Sequence, residues 1–296
     1  MFSENEATNG IQHCILNMFK VMIKICDEHK LKYYLCGGTL LGAVRHQGFI
    51  PWDDDMDVWM PRKDYEAFIR IADDYLPKGY SVMHYTKIKN SEEPTVRIAR
   101  VVDDNTILKW TIGDNTREVP AWIDIFALDG MPNGKIRRKL HYFHYRLWSV
   151  VMQISFFEKA VNYDEPNRPF HEKIILWFVK TTKLGRGWNT NKLLEKSEKI
   201  LKKYEFDRSD FIASLHGRFR AKGIFPRNWV AKAVKLPFED TEFCVPVEYG
   251  RILERFYGDY MTLPKTTKEK EKHHEIELVT LDKMAKGSGM CKNITN

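Results

Sequence analysis

The spacing of apolar and polar positions predicts amphipathic helices and short strands in the first part of the chain. Apolar residues recur at helical spacing over residues 11–29 and predict a helix with one buried face. A short strand is predicted at 33–36, and the glycine pair at 37–38 ends it. A short helix is predicted over 39–44, and Pro61 is expected to begin another amphipathic helix.

Residues 53–60, with the sequence DDDMDVWM, alternate in a way that predicts a strand with one acidic face. Asp53, Asp55 and Asp57 would share that face, and Asp54 would lie off it. Three carboxylates on one face repel each other unless a cation neutralises them, and all-oxygen ligation favours magnesium, with manganese as a substitute. The alternative is a solvated acidic turn, but the apolar residues of the other face indicate burial.

Further strands are predicted downstream of the acidic segment. Residues 80–86 and 95–102 are expected to pair, and residues 103–105 to form a turn. Residues 121–126, with the sequence AWIDIF, place Asp124 between two aromatic residues on one face. Because a buried aspartate is unusual unless it is paired or bound to metal, Asp124 is the candidate for a further carboxylate of the site. The alternative is an edge-strand aspartate that faces water.

Composition divides the chain into a core and an extension. We expect residues 1–133 to form a catalytic core and residues 211–286 to complete the same domain. Residues 134–210 are predicted to be a helical insertion that caps the core or lies against a membrane holding a lipid-linked acceptor. Residues 287–296 are expected to be a disordered tail.

Charge and cysteine content narrow the class of protein. The net charge of +7, from 47 basic and 40 acidic residues, favours an anionic partner. Because no nucleic-acid motif is present, a phosphate-bearing substrate or membrane-surface acceptor is preferred over nucleic acid. Five widely spaced cysteines without a CxxC pair indicate free thiols in a reducing compartment. With no signal-peptide pattern, we expect a cytoplasmic protein that could associate peripherally with the inner face of the membrane.

Residues 37–68, GGTLLGAVRHQGFIPWDDDMDVWMPRKDYEAF, resemble the signature of the LicD family, which includes the fukutin-related proteins. The segments WIDIFALDG at 122–130 and FEDTEFCVPVEYGRILERFYGDYMTLP at 238–264 also resemble that pattern, whereas residues 134–215 are the least diagnostic. The resemblance implies an α/β fold of the α+β type. Its expected form is a nucleotidyltransferase-like core, with a mixed sheet flanked by helices, and a helical extension.

The resemblance also implies a set of site residues. The expected catalytic residues are Asp55, Asp57 and Asp124. The expected ligands of Mg²⁺, with Mn²⁺ as an alternative, are Asp53, Asp55, Asp57 and Asp124. The expected substrate-binding residues are Gly37, Gly38, Thr39, Arg45, His46 and Trp52. Thr39 stands where serine is common in the family, and it keeps the hydroxyl group.

The family is similar to phosphotransferases that move phosphocholine, or another phospho-alcohol, from a CDP-linked donor to a sugar hydroxyl and release CMP. Phosphoryl transfer needs positioning and charge neutralisation, which the carboxylate and glycine segments suit. We therefore expect a donor such as CDP-choline or another CDP-alcohol. The expected acceptor is a cell-surface glycan or lipid-linked oligosaccharide, such as a teichoic acid or lipo-oligosaccharide precursor.

Two alternatives stay open for the function. One is a true nucleotidyltransferase that releases pyrophosphate, and the other is a non-catalytic glycan-binding protein on the same fold. The intact carboxylates argue against the second alternative. A quaternary ammonium group on the donor would favour an aromatic cage. Four tryptophans near the motifs could supply it, or could stack on cytosine or sugar: Trp52, Trp59, Trp110 and Trp122.

Overall fold

A mixed β-sheet packed against helices forms the framework of the molecule and confirms the predicted α/β class. The computed structural model describes residues 4–87, 97–112, 115–155, 170–264 and 275–281. The helices are α1 (Glu4–Glu28), α2 (Gly37–His46), α3 (Arg62–Tyr75), α4 (Lys135–Ser155), α5 (Phe170–Thr182), α6 (Thr190–Leu201) and α7 (Tyr249–Tyr257). The strands are β1 (Tyr34–Leu35), β2 (Asp57–Pro61), β3 (Tyr80–Met83), β4 (Ala99–Ile112), β5 (Asn115–Met131), β6 (Phe211–Ala213), β7 (Ile224–Pro226), β8 (Ala233–Phe238), β9 (Thr241–Pro246) and β10 (Glu275–Leu281).

The main sheet runs β1-β2-β5-β4-β10, with β3 paired to β4 and β6 paired to both β5 and β7. Strands β2 and β5 run parallel, and every other pairing among the described strands is antiparallel. Strands β8 and β9 form a separate hairpin. The parallel pair matters for function because it aligns β2, which carries Asp57, with the middle of β5.

Helices α1 and α3 bury their apolar faces against this sheet. Residues Ile11, Met18 and Phe19 of α1 are almost fully buried, as the helical spacing predicts. Helix α3 is amphipathic, as predicted, and its last residue, Tyr75, is half exposed. The Tyr65 hydroxyl of α3 accepts a hydrogen bond from the backbone N–H of Ala99 at 2.9 Å. That bond fixes the helix against β4.

Two predicted boundaries are wrong for local reasons. The acidic strand begins at Asp57 and not at Asp53, because the pairing of β2 with β5 starts at Asp57 and residues 53–56 form neither helix nor strand. The turn expected at 103–105 is instead an irregularity inside β4. There, Asp103 Oδ1 accepts from the backbone N–H of Asn105, and Thr106 Oγ1 donates to the Asp103 carbonyl. These local bonds accommodate extra residues without ending the strand.

A buried ion cluster joins the helical extension to the core. Arg62, at the start of α3, donates to both carboxylate oxygens of Asp129 at 2.6 and 2.7 Å, and to Glu198 Oε2 of α6 at 2.7 Å. Burial opposes the charge of Glu198, but the Arg62 charge prevails and lowers the pKa of Glu198 to about 2. Because that pKa is depressed, the stabilisation is present above the ordinary carboxyl pKa and is lost as pH falls towards 2.

The remaining expectations concern the cysteines, the C-terminal tail, the domain boundaries and membrane association. Cys14, Cys26, Cys36 and Cys244 are free thiols, as expected, and Cys291 lies outside the described residues. The expected tail at 287–296 also lies outside them, and the proposed domain boundaries stay predictions. In the part of the chain that the structure describes, none of the helices has the length and apolar character needed to cross a bilayer.

Candidate active site

The start of α2 lies directly against two carboxylates. The chain leaves β1 through Cys36, and Gly37 adopts a φ of +56°, a conformation that favours glycine. A Cβ atom on Gly37 would lie 2.7 Å from Asp57 Oδ2, and one on Gly38 would lie 2.6 Å from Asp53 Oδ2. The glycine pair therefore permits a close approach that any larger residue would block.

Backbone hydrogen bonds hold the acidic strand beside this loop. The N–H of Asp57 donates to Thr39 Oγ1 at 2.8 Å, and the N–H of Cys36 donates to the Asp57 carbonyl at 3.1 Å. The first N–H groups of a helix have no acceptor within the helix and carry partial positive charge. The start of α2 thus favours negative charge at Asp57 and at any anion that binds beside it.

Strand pairing brings Asp124 to the same site. Asp57 and Asp124 are register partners on the parallel strands β2 and β5, so their side chains share one face of the sheet about 4.8 Å apart along the hydrogen-bonding direction. Arg100 is the partner of Asp124 on β4, and its Nε lies 2.6 Å from Asp124 Oδ1. A carboxylate offers about four acceptor sites. The ion pair therefore leaves Asp124 able to bind a second cation.

Asp53, Asp54 and Asp55 form a second acidic group, which shares Asp53 and Asp55 with the predicted metal ligands. Ligand atoms of Asp53, Asp54 and Asp55 all lie within 4.8 Å of one another. Asp54 was expected to fall outside the site because strand alternation would point it away. That argument fails because β2 starts only at Asp57, so the three consecutive carboxylates before it do not follow strand alternation. Asp54 is buried like Asp53 and belongs to the acidic group.

The electrostatics of this group fit a bound divalent cation. Burial, followed by the charge of Asp54, raises the pKa of Asp53 to about 7, and burial raises the pKa of Asp57 well above its ordinary value. Three further charges act on Asp57 in the same direction, those of Asp55, Asp124 and Asp53. Such carboxylates are poorly compensated by protein groups alone. An all-carboxylate donor set is the kind that Mg²⁺ or Mn²⁺ prefers.

A cavity of about 330 Å³ opens beside the carboxylates. Its polar wall includes Asp55, Asp57 and Asp124, together with Gly37 and Gly38. Basic and aromatic groups complete its lining, and these residues are His216, Arg218, Phe219, Phe256 and Tyr257. Phe219 and Phe256 stack with ring centroids 3.9 Å apart. The cavity thus combines cation-binding carboxylates, a basic group and flat apolar surfaces.

A second cavity of about 310 Å³ adjoins the first across Gly38, Arg218 and Tyr257. Arg45 and Trp52 line this second cavity. Arg45 is held there, because its Nη1 donates to the Tyr260 carbonyl at 3.0 Å.

His46 contacts both of those residues. Arg45 Nε donates to His46 Nε2 at 3.0 Å, and the rings of His46 and Trp52 lie 6.4 Å apart. Burial, followed by the Arg45 charge, lowers the pKa of His46, so the imidazole accepts from Arg45 and adds no positive charge at neutral pH.

The four tryptophans near the motifs lie in three different places. Trp59 lines the first cavity and Trp52 the second. Trp110 and Trp122 contact each other, with ring centroids 5.7 Å apart. Arg100 lies over the Trp122 ring at 5.0 Å, which places this pair beside the ion pair with Asp124. A cage made of all four rings is therefore not formed.

The basic wall of the cavity was missed from the sequence. His216 and Arg218 follow β6 in the segment HGRFR, and Tyr257 ends α7. The signal that could have found them is the cluster of basic residues around Gly217, directly after a buried strand. Nothing in the local pattern shows that this strand pairs with the end of β5, which is what brings the segment to the carboxylates.

Comparison with known proteins assigns the chain to a family. The profile of "LicD/FKTN/FKRP, nucleotidyltransferase domain" matches residues 30–111, which hold the glycine pair and the acidic segment. The lipopolysaccharide cholinephosphotransferase LicD of Haemophilus influenzae is 30% identical over 266 residues, covering 88% of this chain and 93% of that protein. The chain belongs to the LicD family. Because the match to the Haemophilus protein covers 88% of this chain, it must include both β2 and β5.

Two shorter matches of this chain are to proteins of Rickettsia. An uncharacterized protein of Rickettsia typhi is 37% identical over 70 residues, and one of Rickettsia prowazekii is 36% identical over 70 residues. Each match covers 24% of this chain, and 23% and 26% of the respective rickettsial proteins. Neither rickettsial protein has an assigned function, so these matches add similarity and no chemistry.

The contact between Gly38 and Asp53 generates a prediction for this LicD-family protein. The substitution Gly38→Ala should displace the Asp53 carboxylate, because the new Cβ would lie 2.6 Å from its oxygen. We expect Mg²⁺ affinity to fall by roughly 10- to 100-fold, the range seen when the groups that orient metal ligands are altered. Isothermal titration with Mg²⁺ measures the change.

The matched control is Gly134→Ala, where the nearest atoms to a new Cβ lie 3.9 Å away on the Arg137 side chain. That variant should bind Mg²⁺ like the parent protein. Equal affinities for both variants and the parent would show that the close approach at Gly38 does not matter.

Proposed function

We propose that the protein is a Mg²⁺-dependent phosphotransferase that moves phosphocholine from CDP-choline to a sugar hydroxyl of a lipopolysaccharide or related cell-surface glycan, releasing CMP. Its membership of the LicD family makes it a transferase enzyme. The observation that carries the proposal is the meeting of Asp55, Asp57 and Asp124 at one cavity wall, in a chain similar over most of its length to a cholinephosphotransferase.

The carboxylate wall suits the metal that such a transfer uses. Asp53, Asp55, Asp57 and Asp124 would hold Mg²⁺ or Mn²⁺ in our proposal. A bound divalent cation would neutralise the charge of the donor diphosphate and make its phosphorus more electrophilic. Arg218 borders both cavities, and its charge already acts on Asp53 and Asp57. We assign Arg218 to the diphosphate, together with the backbone N–H groups of Gly37 and Gly38.

The transfer itself requires a proton acceptor for the sugar hydroxyl. The hydroxyl oxygen forms a bond to the phosphorus that carries choline, the bond from that phosphorus to the CMP oxygen breaks, and CMP leaves with the electron pair. Asp124 already accepts from Arg100. We assign His216 as the acceptor of the hydroxyl proton, because it lines the cavity and its Nε2 lies 3.2 Å from Glu198 Oε1. The negative charge of Glu198 attracts the cationic ring that forms when His216 takes up the proton.

The aromatic wall suits the remaining parts of the donor. Trp59, Phe219, Phe256 and Tyr257 offer flat surfaces for a cytosine ring and electron-rich faces for a quaternary ammonium group. Donors with a different alcohol, such as CDP-ribitol or CDP-glycerol, lack the cationic group and would gain less from these faces. This favours choline among the CDP-alcohols.

Product analysis tests the proposed reaction. Incubation with CDP-choline, Mg²⁺ and a lipo-oligosaccharide acceptor should release CMP and give a phosphocholine-bearing glycan, with slower turnover of CDP-ethanolamine, CDP-ribitol and CDP-glycerol. Asp57→Asn should lower kcat/KM by at least 10²- to 10³-fold, because the carboxylate wall loses a charge that stabilises the bound cation. Asp74→Asn, an exposed change on α3, should leave turnover unchanged.

Two results would overturn the reaction that we propose. One is release of pyrophosphate from a nucleoside triphosphate, with no turnover of any CDP-alcohol, which would favour the true nucleotidyltransferase. The other is an Asp57→Asn variant as active as Asp74→Asn, which would remove the carboxylate wall from the chemistry.

The role of His216 has its own test. His216→Gln should lower kcat by roughly 10²- to 10⁴-fold, the usual contribution of a general base, with little change in KM. His144→Gln, at an exposed position on α4, is the control. A variant that keeps the parent kcat, or changes KM alone, would assign His216 to substrate binding or packing.

A further inference from the structure

Helix α4 carries a stripe of large apolar side chains on its solvent-facing side. Their exposed fractions run from 43% at Val150 to 75% at Ile136. The members of this exposed stripe are Ile136, Leu140, Phe143, Leu147 and Val150. Their spacing of three and four residues places all of them on one face of a helix, over roughly 21 Å of its length. Soluble proteins rarely leave a contiguous apolar surface of this kind without a partner.

The stripe is separate from the face with which α4 packs on the protein. His141, Tyr145, Ser149 and Met152 are buried, and they lie on the opposite side of the helix. Tyr145 donates through its hydroxyl to the Leu215 carbonyl at 3.2 Å. Core packing therefore accounts for one face of α4 and leaves the exposed stripe unexplained.

Basic residues flank the exposed stripe. Helix α4 contains no acidic residue, and Lys139 and Arg146 lie along one edge of the stripe, with Arg137 along the other. Helix α5 repeats the combination, with exposed Ile174, Trp177 and Phe178. An apolar face bordered by lysine and arginine, with exposed tryptophan, is the composition of helices that lie in the plane of a membrane interface.

We propose that the exposed stripe of α4 docks on the surface of an anionic lipid bilayer. The stripe would enter the boundary between head groups and acyl chains, while the flanking cations contact lipid phosphates. A second copy of this chain would bring the same cations against one another, so charge complementarity favours lipid over self-association. The inference rests on the exposed stripe of α4, with the exposed side chains of α5 as support, and does not depend on the proposed function.

The position of α4 gives this docking a consequence for the active site. Leu215, which accepts the hydrogen bond from Tyr145, precedes His216 of the cavity wall. One helix diameter, roughly 10 Å, therefore separates the docked surface from the wall beside the cavity. Docking through α4 would bring the cavity close to acceptors that are anchored in the same membrane.

Vesicle flotation with the full-length protein tests the proposal without any substrate. The parent protein should float with vesicles made of equal parts phosphatidylglycerol and phosphatidylcholine, and much less with phosphatidylcholine alone. Arg137→Gln combined with Lys139→Gln should reduce partitioning by roughly 25-fold, given the usual contribution of each basic residue near an anionic surface. Phe143→Gln combined with Leu147→Gln should reduce it by roughly 10-fold or more.

Matched controls separate this surface from general charge and apolarity. Lys232→Gln combined with Lys235→Gln, at exposed positions near the β8–β9 hairpin, and Tyr75→Gln on α3 should float like the parent. Circular dichroism should show equal helix content in all variants. Equal flotation of every variant would overturn the proposal. So would a parent dimer in sedimentation velocity that the Phe143→Gln and Leu147→Gln changes convert to monomer, because the stripe would then be a protein interface.

Discussion

The parallel pairing of β2 with β5 is the constraint on which the site depends. It aligns Asp57 with Asp124, although 66 residues separate them in the chain. Two buried carboxylates this close together destabilise the fold unless their negative charge is compensated, because like charges repel each other. The start of α2, the ion pair of Asp124 with Arg100 and the nearby Arg218 supply part of that compensation. In the proposed function, a divalent cation would supply the rest.

The elements around the site were predictable where local pattern decides them. Helical spacing predicted α1, and alternation placed Asp124 on a strand. The local pattern did not predict features that depend on contacts between residues distant in the sequence. The proximity of Asp54 to Asp53 and Asp55 depends on where β2 begins to pair with β5, and the basic wall depends on the pairing of β6 with the end of β5. Side-chain hydrogen bonds of Asp103 turned an expected turn into a strand irregularity.

Helices α4 and α6, which lie in the predicted helical extension, are tied to the sheet by charge as well as by packing. Arg62 reaches Asp129 of the core and Glu198 of α6, and Glu198 in turn lies beside His216 of the cavity. One buried cluster therefore connects the start of α3, the end of β5 and the extension. It holds α6 in place, and α4 packs against α6 with the exposed stripe on its outer side. The extension is thus positioned to present a surface while it supports the cavity wall.

The most direct test of the account is the location of the bound cation. Crystals of the protein soaked with Mn²⁺ should show an anomalous scattering peak in contact with the carboxylates of Asp57 and Asp124. That result would establish the two-strand site on which the proposed transfer depends. An anomalous peak confined to Asp53, Asp54 and Asp55, with Asp124 bound only to Arg100, would contradict it.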